Sequence, residues 1–164
     1  YALISDNEEI QNSLSEAGEL IRPEVNPLEM RHGTKPLIQK LTNTREEMFR
    51  VKTIIDLLKT DGIREDQIAV LTRHRKQAQT LTDFLKDTGV TVNPYHSFKG
   101  LEMEAVILPF INETFQNPAE ENSERRLIYM AMSRARERLY LTYSGRLPYQ
   151  FYVLRPDKLA DFIN

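Results

Sequence analysis

Hydrophobic and polar positions follow two rhythms along this chain, one helical and one extended. Ile10, Leu14, Ala17 and Ile21 recur at helical spacing after a Ser5-Asp6-Asn7-Glu8 capping box, which predicts a helix up to Pro23. Residues 22–33, with Pro23, Pro27 and Gly33, read as loop. Pro36 to Leu41 is a short apolar run and reads as a strand. Thr44-Arg45-Glu46-Glu47 has capping-box spacing again and leads into Met48, Val51, Ile55 and Leu58 on one face, ending near Asp61-Gly62. Ile68-Ala69-Val70-Leu71 is continuously apolar, as expected of a strand buried on both faces. A helix follows from about His74, turns Ala78, Leu81 and Leu85 inward, and stops at Thr88-Gly89. Val90–Tyr95 predicts a short strand and Ala105–Phe110 a second buried one, while residues 111–122 are polar and read as an exposed loop. From Glu124 onward, Leu127, Ala131 and Ala135 share a helical stripe with Ile128 and Met132 beside it. Leu139–Tyr143 then alternates as a strand, and a short terminal helix is expected over Pro156–Asn164.

Strands that alternate with helices, and are apolar rather than alternating, predict an α/β fold. Its sheet is mainly parallel and covered by helices on both faces. The 164 residues suffice for one core, so 1–164 reads as a single domain without internal repeats.

Composition narrows the class. With 40% hydrophobic and 28% charged residues the chain is that of an ordinary globular protein. It has no cysteine, which excludes disulfides and thiolate metal sites and suits a reducing, cytoplasmic compartment. No apolar run approaches the roughly 18 residues of a membrane span. The net charge of −2 means that any nucleic-acid contact must come from local patches. The start at Tyr1, without a methionine, is expected of a fragment or a processed product.

In open parallel sheets, ligands sit outside the carboxyl ends of the strands, and three polar clusters are expected there. The first is Arg73-His74-Arg75-Lys76, able to contact a nucleic-acid backbone or simply to solvate a helix start. The second runs from His96 to Glu102. Lys99 can meet a phosphate as a point charge, Gly100 lets the backbone turn, and Glu102 can accept from a sugar hydroxyl. The plain alternative for that cluster is a tight connection with solvated side chains. The third is the loop after the Ala105–Phe110 strand, which leads into an arginine-rich stretch with Arg125, Arg126, Arg134, Arg136 and Arg138 in or next to a helix. An arginine fixed on a rigid element can stabilise a phosphoryl-transfer transition state; the bland reading is a solvated basic face. His32, His74 and His96 lack metal-ligand spacing. A G-x-x-x-x-G-K-[ST] phosphate loop is absent, so a nucleotide handled here must have its main phosphate cradle supplied from elsewhere.

Three segments resemble one family. Residues 95–108, Y-H-S-F-K-G-L-E-M-E-A-V-I-L, resemble motif V of superfamily 1A DNA helicases of the UvrD/Rep type. Residues 124–141, E-R-R-L-I-Y-M-A-M-S-R-A-R-E-R-L-Y-L, resemble their motif VI. Residues 68–75, I-A-V-L-T-R-H-R, resemble the strand and basic turn before motif V. R-H-G-T-K-P over 31–36, and the lack of a large insertion between Gly89 and His96, look more like the helicase IV branch, which includes helicase-like proteins associated with bacterial RNA polymerase.

The resemblance implies a three-layer RecA-like (P-loop NTPase-like) fold and the second motor domain, 2A, of an ATP-driven translocase. It places ATP with Mg2+ between this domain and the first RecA-like domain of the same polypeptide. It implies that Arg134 reaches the γ-phosphate as the catalytic arginine, and that Glu102, with Gly100 beside it, contacts the nucleotide sugar. It also implies that His96, Ser97 and Lys99 face single-stranded or partly duplex DNA, with Arg73 and His74 nearby. Two departures stand out. A Tyr-Arg-Ser-type motif IV is expected before the first helix, where Asp6-Asn7-Glu8-Glu9 stands instead, and the stretch from Gly89 to His96 is short. They keep open a second reading, a non-catalytic RecA-like module that binds nucleic acid or RNA polymerase.

Overall fold

The computed structural model describes residues 34–97, 100–154 and 161–163. The predicted helix and loop before residue 34 lie outside them, as do the sequence positions discussed for motif IV. Six strands form one sheet: β1 (Leu37–Leu41), β2 (Ile68–Thr72), β3 (Thr91–Pro94), β4 (Met103–Leu108), β5 (Ala135–Ser144) and β6 (Asp161–Ile163). Their order is β3-β2-β4-β5-β1-β6, and every neighbouring pair is parallel. The expected parallel sheet is thus present.

Burial on both faces explains the continuous apolar runs. Every residue of β2 is buried, and in β4 only Glu104 is half-exposed. Ile68, Val70, Ala105 and Ile107 point into one core, which α1 (Thr44–Thr60) and α2 (Arg75–Phe84) close through Val51, Ile54, Ile55, Leu58 and Leu81. Ala69, Leu71, Val106 and Leu108 point into the other, closed by Ile128 and Ala131 of α3 (Glu121–Met132) and by Leu147 and Phe151 after β5. Each fully buried Leu, Ile or Phe contributes about 1.5–3 kcal/mol of transfer free energy. The chain moves outward from β2 to β3 and in the opposite direction from β4 to β5, so α2 and α3 fall on opposite faces.

Local chemistry shifts several boundaries. Asn43, rather than Thr44, caps α1: its side chain accepts from the Glu46 N–H at 2.9 Å, and Glu46 accepts from the Thr42 N–H at 3.1 Å. Gly62 and Gly89, both with positive φ, stand just past the ends of α1 and of the turn after α2. β4 starts two residues before the predicted Ala105 and ends at Leu108; Pro109 follows, and Phe110 takes a left-handed φ of 60°. The loop after it is not uniformly exposed, because Ile111 and Thr114 are buried and the Thr114 hydroxyl donates to the Ile111 carbonyl.

The arginine stretch departs most. Helix α3 stops at Met132 instead of running past Ala135. The Ser133 N–H returns to the Tyr129 carbonyl, the Arg134 N–H to the Ala131 carbonyl, and Met103 then donates to the Arg134 carbonyl at 2.8 Å. Ala135, Arg136 and Arg138 belong to β5. The ladder to β4, through Ala135 and Arg138, overrides the helical preference of Ala, Arg and Glu here. Met103 faces Ala135 whereas Ala105 faces Arg138, so β5 carries one extra residue, a bulge around Arg136-Glu137. In place of the expected terminal helix, Asp161–Ile163 pairs with β1 as an edge strand; residues 155–160 and 164 lie outside the description.

Candidate functional site: two edges of one sheet

The predicted site residues divide between opposite edges of the sheet. Arg73, His74, His96 and Ser97 follow the carboxyl ends of β2 and β3. Glu102 and Arg134 immediately precede β4 and β5, at the amino edge. That corrects the expectation for the His96–Glu102 cluster, whose last residue lies at the amino edge because the chain must return after parallel β3 before β4 can start; the Arg73 turn and the loop after β4 do follow carboxyl ends. Six residues of β4 separate the two edges by about 17 Å.

At the amino edge, Gly100 adopts φ +77°, and a Cβ there would meet nothing within 4 Å, so glycine is required by conformation rather than by crowding. Glu102 is exposed, with the Arg136 Nε 3.9 Å from its carboxylate. Arg134 is half-buried, and its Nε is buried without a hydrogen-bond partner among the described residues. An unpaired donor on this half-exposed guanidinium leaves it able to take a partner beyond the described residues. The bond from Met103 N–H to the Arg134 carbonyl sets Arg134 directly beside the Glu102 backbone. Chemically this edge offers a guanidinium for an anion and a carboxylate for a hydroxyl.

The carboxyl edge is more elaborate. Arg73 pairs through Nε and a terminal nitrogen with buried Glu124 of α3, whose second oxygen accepts from the Phe115 N–H at 3.2 Å. His74 caps α2, its N–H donating to the Gln77 side chain, which in turn donates to Glu113. Arg75 Nε lies 3.4 Å from His96 Nε2, and both side chains are exposed. Ser97 is exposed too, whereas Lys99 lies outside the described residues. Tyr95 anchors this turn: it is buried beneath α3, its hydroxyl lacks a partner among the described residues, and burial pushes its phenol well above the ordinary range. Beyond β5, a cleft of about 390 Å3 is lined by Phe115, Arg146, Tyr149 and Tyr152 among others. The Tyr149 ring is 63% exposed, and its hydroxyl donates to Glu121 at 3.1 Å, which holds the phenol above its usual value.

Sequence reasoning passed over three of these groups. Tyr149 follows Gly145 and Pro148, a turn that presents an aromatic ring, and that signal was available. Glu47 falls on the buried stripe of α1 with Val51, Ile54 and Leu58. Its carboxylate accepts from the Phe110 N–H at 2.9 Å and the Thr142 hydroxyl at 2.7 Å, and burial raises its pKa despite those bonds. Glu124 was read only as the start of the arginine helix.

Helix α3 links the edges: it spans about 18 Å on the face where Tyr95 and Met103 are buried, with Glu124 in its opening turns near one edge and Arg134 just past its end at the other. Among the described residues no group of three His, Cys, Asp or Glu side chains is placed to hold a metal ion, and no helix is long and apolar enough to cross a membrane.

A three-layer domain built on an all-parallel sheet, with α1 and α2 on one face and α3 on the other, is of the RecA-like α/β class. The family AAA_12, described as an AAA domain, matches residues 4–144, and the chain belongs to that family. Its fold is similar to the C-terminal domain of a possible DNA helicase from Lactobacillus plantarum WCFS1. That likeness has a TM-score of 0.68 at 23% identity and covers 79% of this chain and 86% of that one. No curated protein matches the chain.

Proposed function

We propose that this domain is the C-terminal motor domain, 2A, of an ATP-dependent DNA helicase or translocase of the UvrD/Rep type. The observation that carries the reading is Arg134: an arginine whose buried Nε has no partner among the described residues, its backbone held next to that of Glu102 on an edge away from the basic turns. The amino edge then faces the nucleotide. Arg134 donates to phosphate oxygens where negative charge develops, and its fixed backbone keeps the guanidinium from needing to reorganise. Glu102 accepts from a sugar hydroxyl, with the Gly100 turn leading into it. ATP with Mg2+ fits this donor set only in part, since one guanidinium and one carboxylate make no phosphate cradle. The first RecA-like domain of the same polypeptide supplies that cradle and the metal site, and turnover requires both domains.

The carboxyl edge faces single-stranded or partly duplex DNA. Arg73, His74, His96, Ser97 and Lys99 supply backbone contacts, and the exposed Tyr149 ring supplies a surface for a base. The absence of cysteine is compatible with a cytoplasmic setting. The test uses the full-length protein. Arg134→Ala should lower ATP turnover by roughly 10³-fold while single-strand binding and the thermal transition stay as in wild type. Turnover at the wild-type rate in that variant would overturn the proposal.

A further inference from the structure

Glu124 ties together three chain segments that sequence order keeps apart. One oxygen of its carboxylate takes the Arg73 guanidinium at the exit of β2, and the other takes the N–H of Phe115 in the loop after β4. The carboxylate itself sits in the opening turns of α3 and is only 5% exposed. Phe115 holds a left-handed φ of 57°, a conformation a phenylalanine keeps only when its surroundings impose it.

The far end of the same helix carries no slack. Ser133 and Arg134 bond back onto the last turn of α3, and the Arg134 carbonyl is taken by Met103 at the start of β4. A shift of the helix along its axis therefore moves Arg134. Arg73 is itself not spent by the pairing. Its side chain remains 24% exposed, and a guanidinium has five donors, of which Nε and one terminal nitrogen serve Glu124.

We infer that Glu124 is a positioning residue linking the two edges: a backbone phosphate that engages the free side of Arg73 acts through Glu124 on α3 and so on Arg134. This rests on the motor reading above and adds to it the residue through which a bound strand reaches the nucleotide edge. The buried Tyr95 ring packs where the turn after β3 meets α3, so the helix has a firm surface to move against.

The experiment measures ATP turnover of the full-length protein with and without an oligothymidylate strand, and strand binding without nucleotide. In Glu124→Gln the ratio of stimulated to unstimulated turnover should fall at least tenfold, while strand affinity stays within about threefold of wild type. Arg73→Gln should lose the same ratio, and the double variant, which removes both charges and leaves two amides able to bond each other, should lose no more than either single change. That double variant also guards against a folding failure caused by one unpaired buried charge. Equal loss of stimulated and unstimulated turnover would reduce Glu124 to a structural brace and overturn the inference. So would a wild-type ratio in the variants. If the wild type is not stimulated by the strand at all, the motor reading falls and takes this inference with it.

Discussion

At the amino edge, Glu102 and Arg134 are set by main-chain bonds and a positive-φ glycine; the Arg136 Nε stands 3.9 Å from the exposed Glu102 carboxylate, and the Arg134 Nε has no partner among the described residues. At the carboxyl edge, Arg73, Glu124, Gln77, Glu113, Tyr149 and Glu121 are bonded to one another through side chains. Under the proposed function, the difference follows from what each edge would hold. A guanidinium that waits for a ligand on another domain gains from a rigid backbone and an unmet donor, because any internal partner would have to be displaced first. A surface that meets a long polyanion needs several weak contacts in register, and side-chain networks supply that register without using up every donor.

Further variants test this comparison beyond the Arg134 and Glu124 experiments. The largest effect is expected from Tyr149→Ala, which should weaken single-strand affinity by roughly tenfold if one base stacks on the ring, in the range of 1–3 kcal/mol per stacked base. The apparent KM for ATP should stay unchanged; a shift in KM with no change in strand affinity would move Tyr149 to the nucleotide side. Lys99→Ala is expected to lower affinity modestly and to reduce the slope of log affinity against log salt by about 0.7, the value for one lost phosphate contact on a single strand. An identical salt slope would remove Lys99 from the DNA-facing set.

The smallest effect concerns Glu47, which holds the Phe110 N–H and the Thr142 hydroxyl beneath the same edge. Burial raises its folded pKa, so the folded state binds the proton more tightly than the unfolded chain does. Its contribution is then most favourable below the ordinary value of 4.5 and declines as pH rises through the raised value. Glu47→Gln should therefore compare better with wild type at pH 8 than at pH 4 in thermal unfolding. The opposite trend would show that the carboxylate is stabilised as the anion, and a difference in melting temperature that does not vary with pH would show an unshifted pKa.

Much of the layered architecture was legible because it rests on local pattern. The runs Ile68–Leu71 and Ala105–Leu108 can only be strands buried on both faces, and the stripes through Val51, Ile55 and Leu58 and through Ala78, Leu81 and Leu85 can only be helix faces. Residue type and order were also enough to single out Glu102 and Arg134, because the two segments that contain them resemble known motifs. The terminal edge strand was not legible, since Asp161–Ile163 becomes a strand only by finding β1 unpaired on that side.

By itself, then, the sequence determined most element types and the parallel sheet, and it proposed the residues that carry chemistry. Tertiary structure alone decided where α3 stops, because the ladder to β4 outweighs the helical preference of Ala135 to Glu137. It also decided that the basic turns and the Glu102–Arg134 pair lie on opposite edges, which depends on strand order and not on any single segment. Glu124 shows the same limit. Its spacing says only that it begins a helix, and its link to Arg73, 51 residues earlier, exists because two distant strands exit side by side.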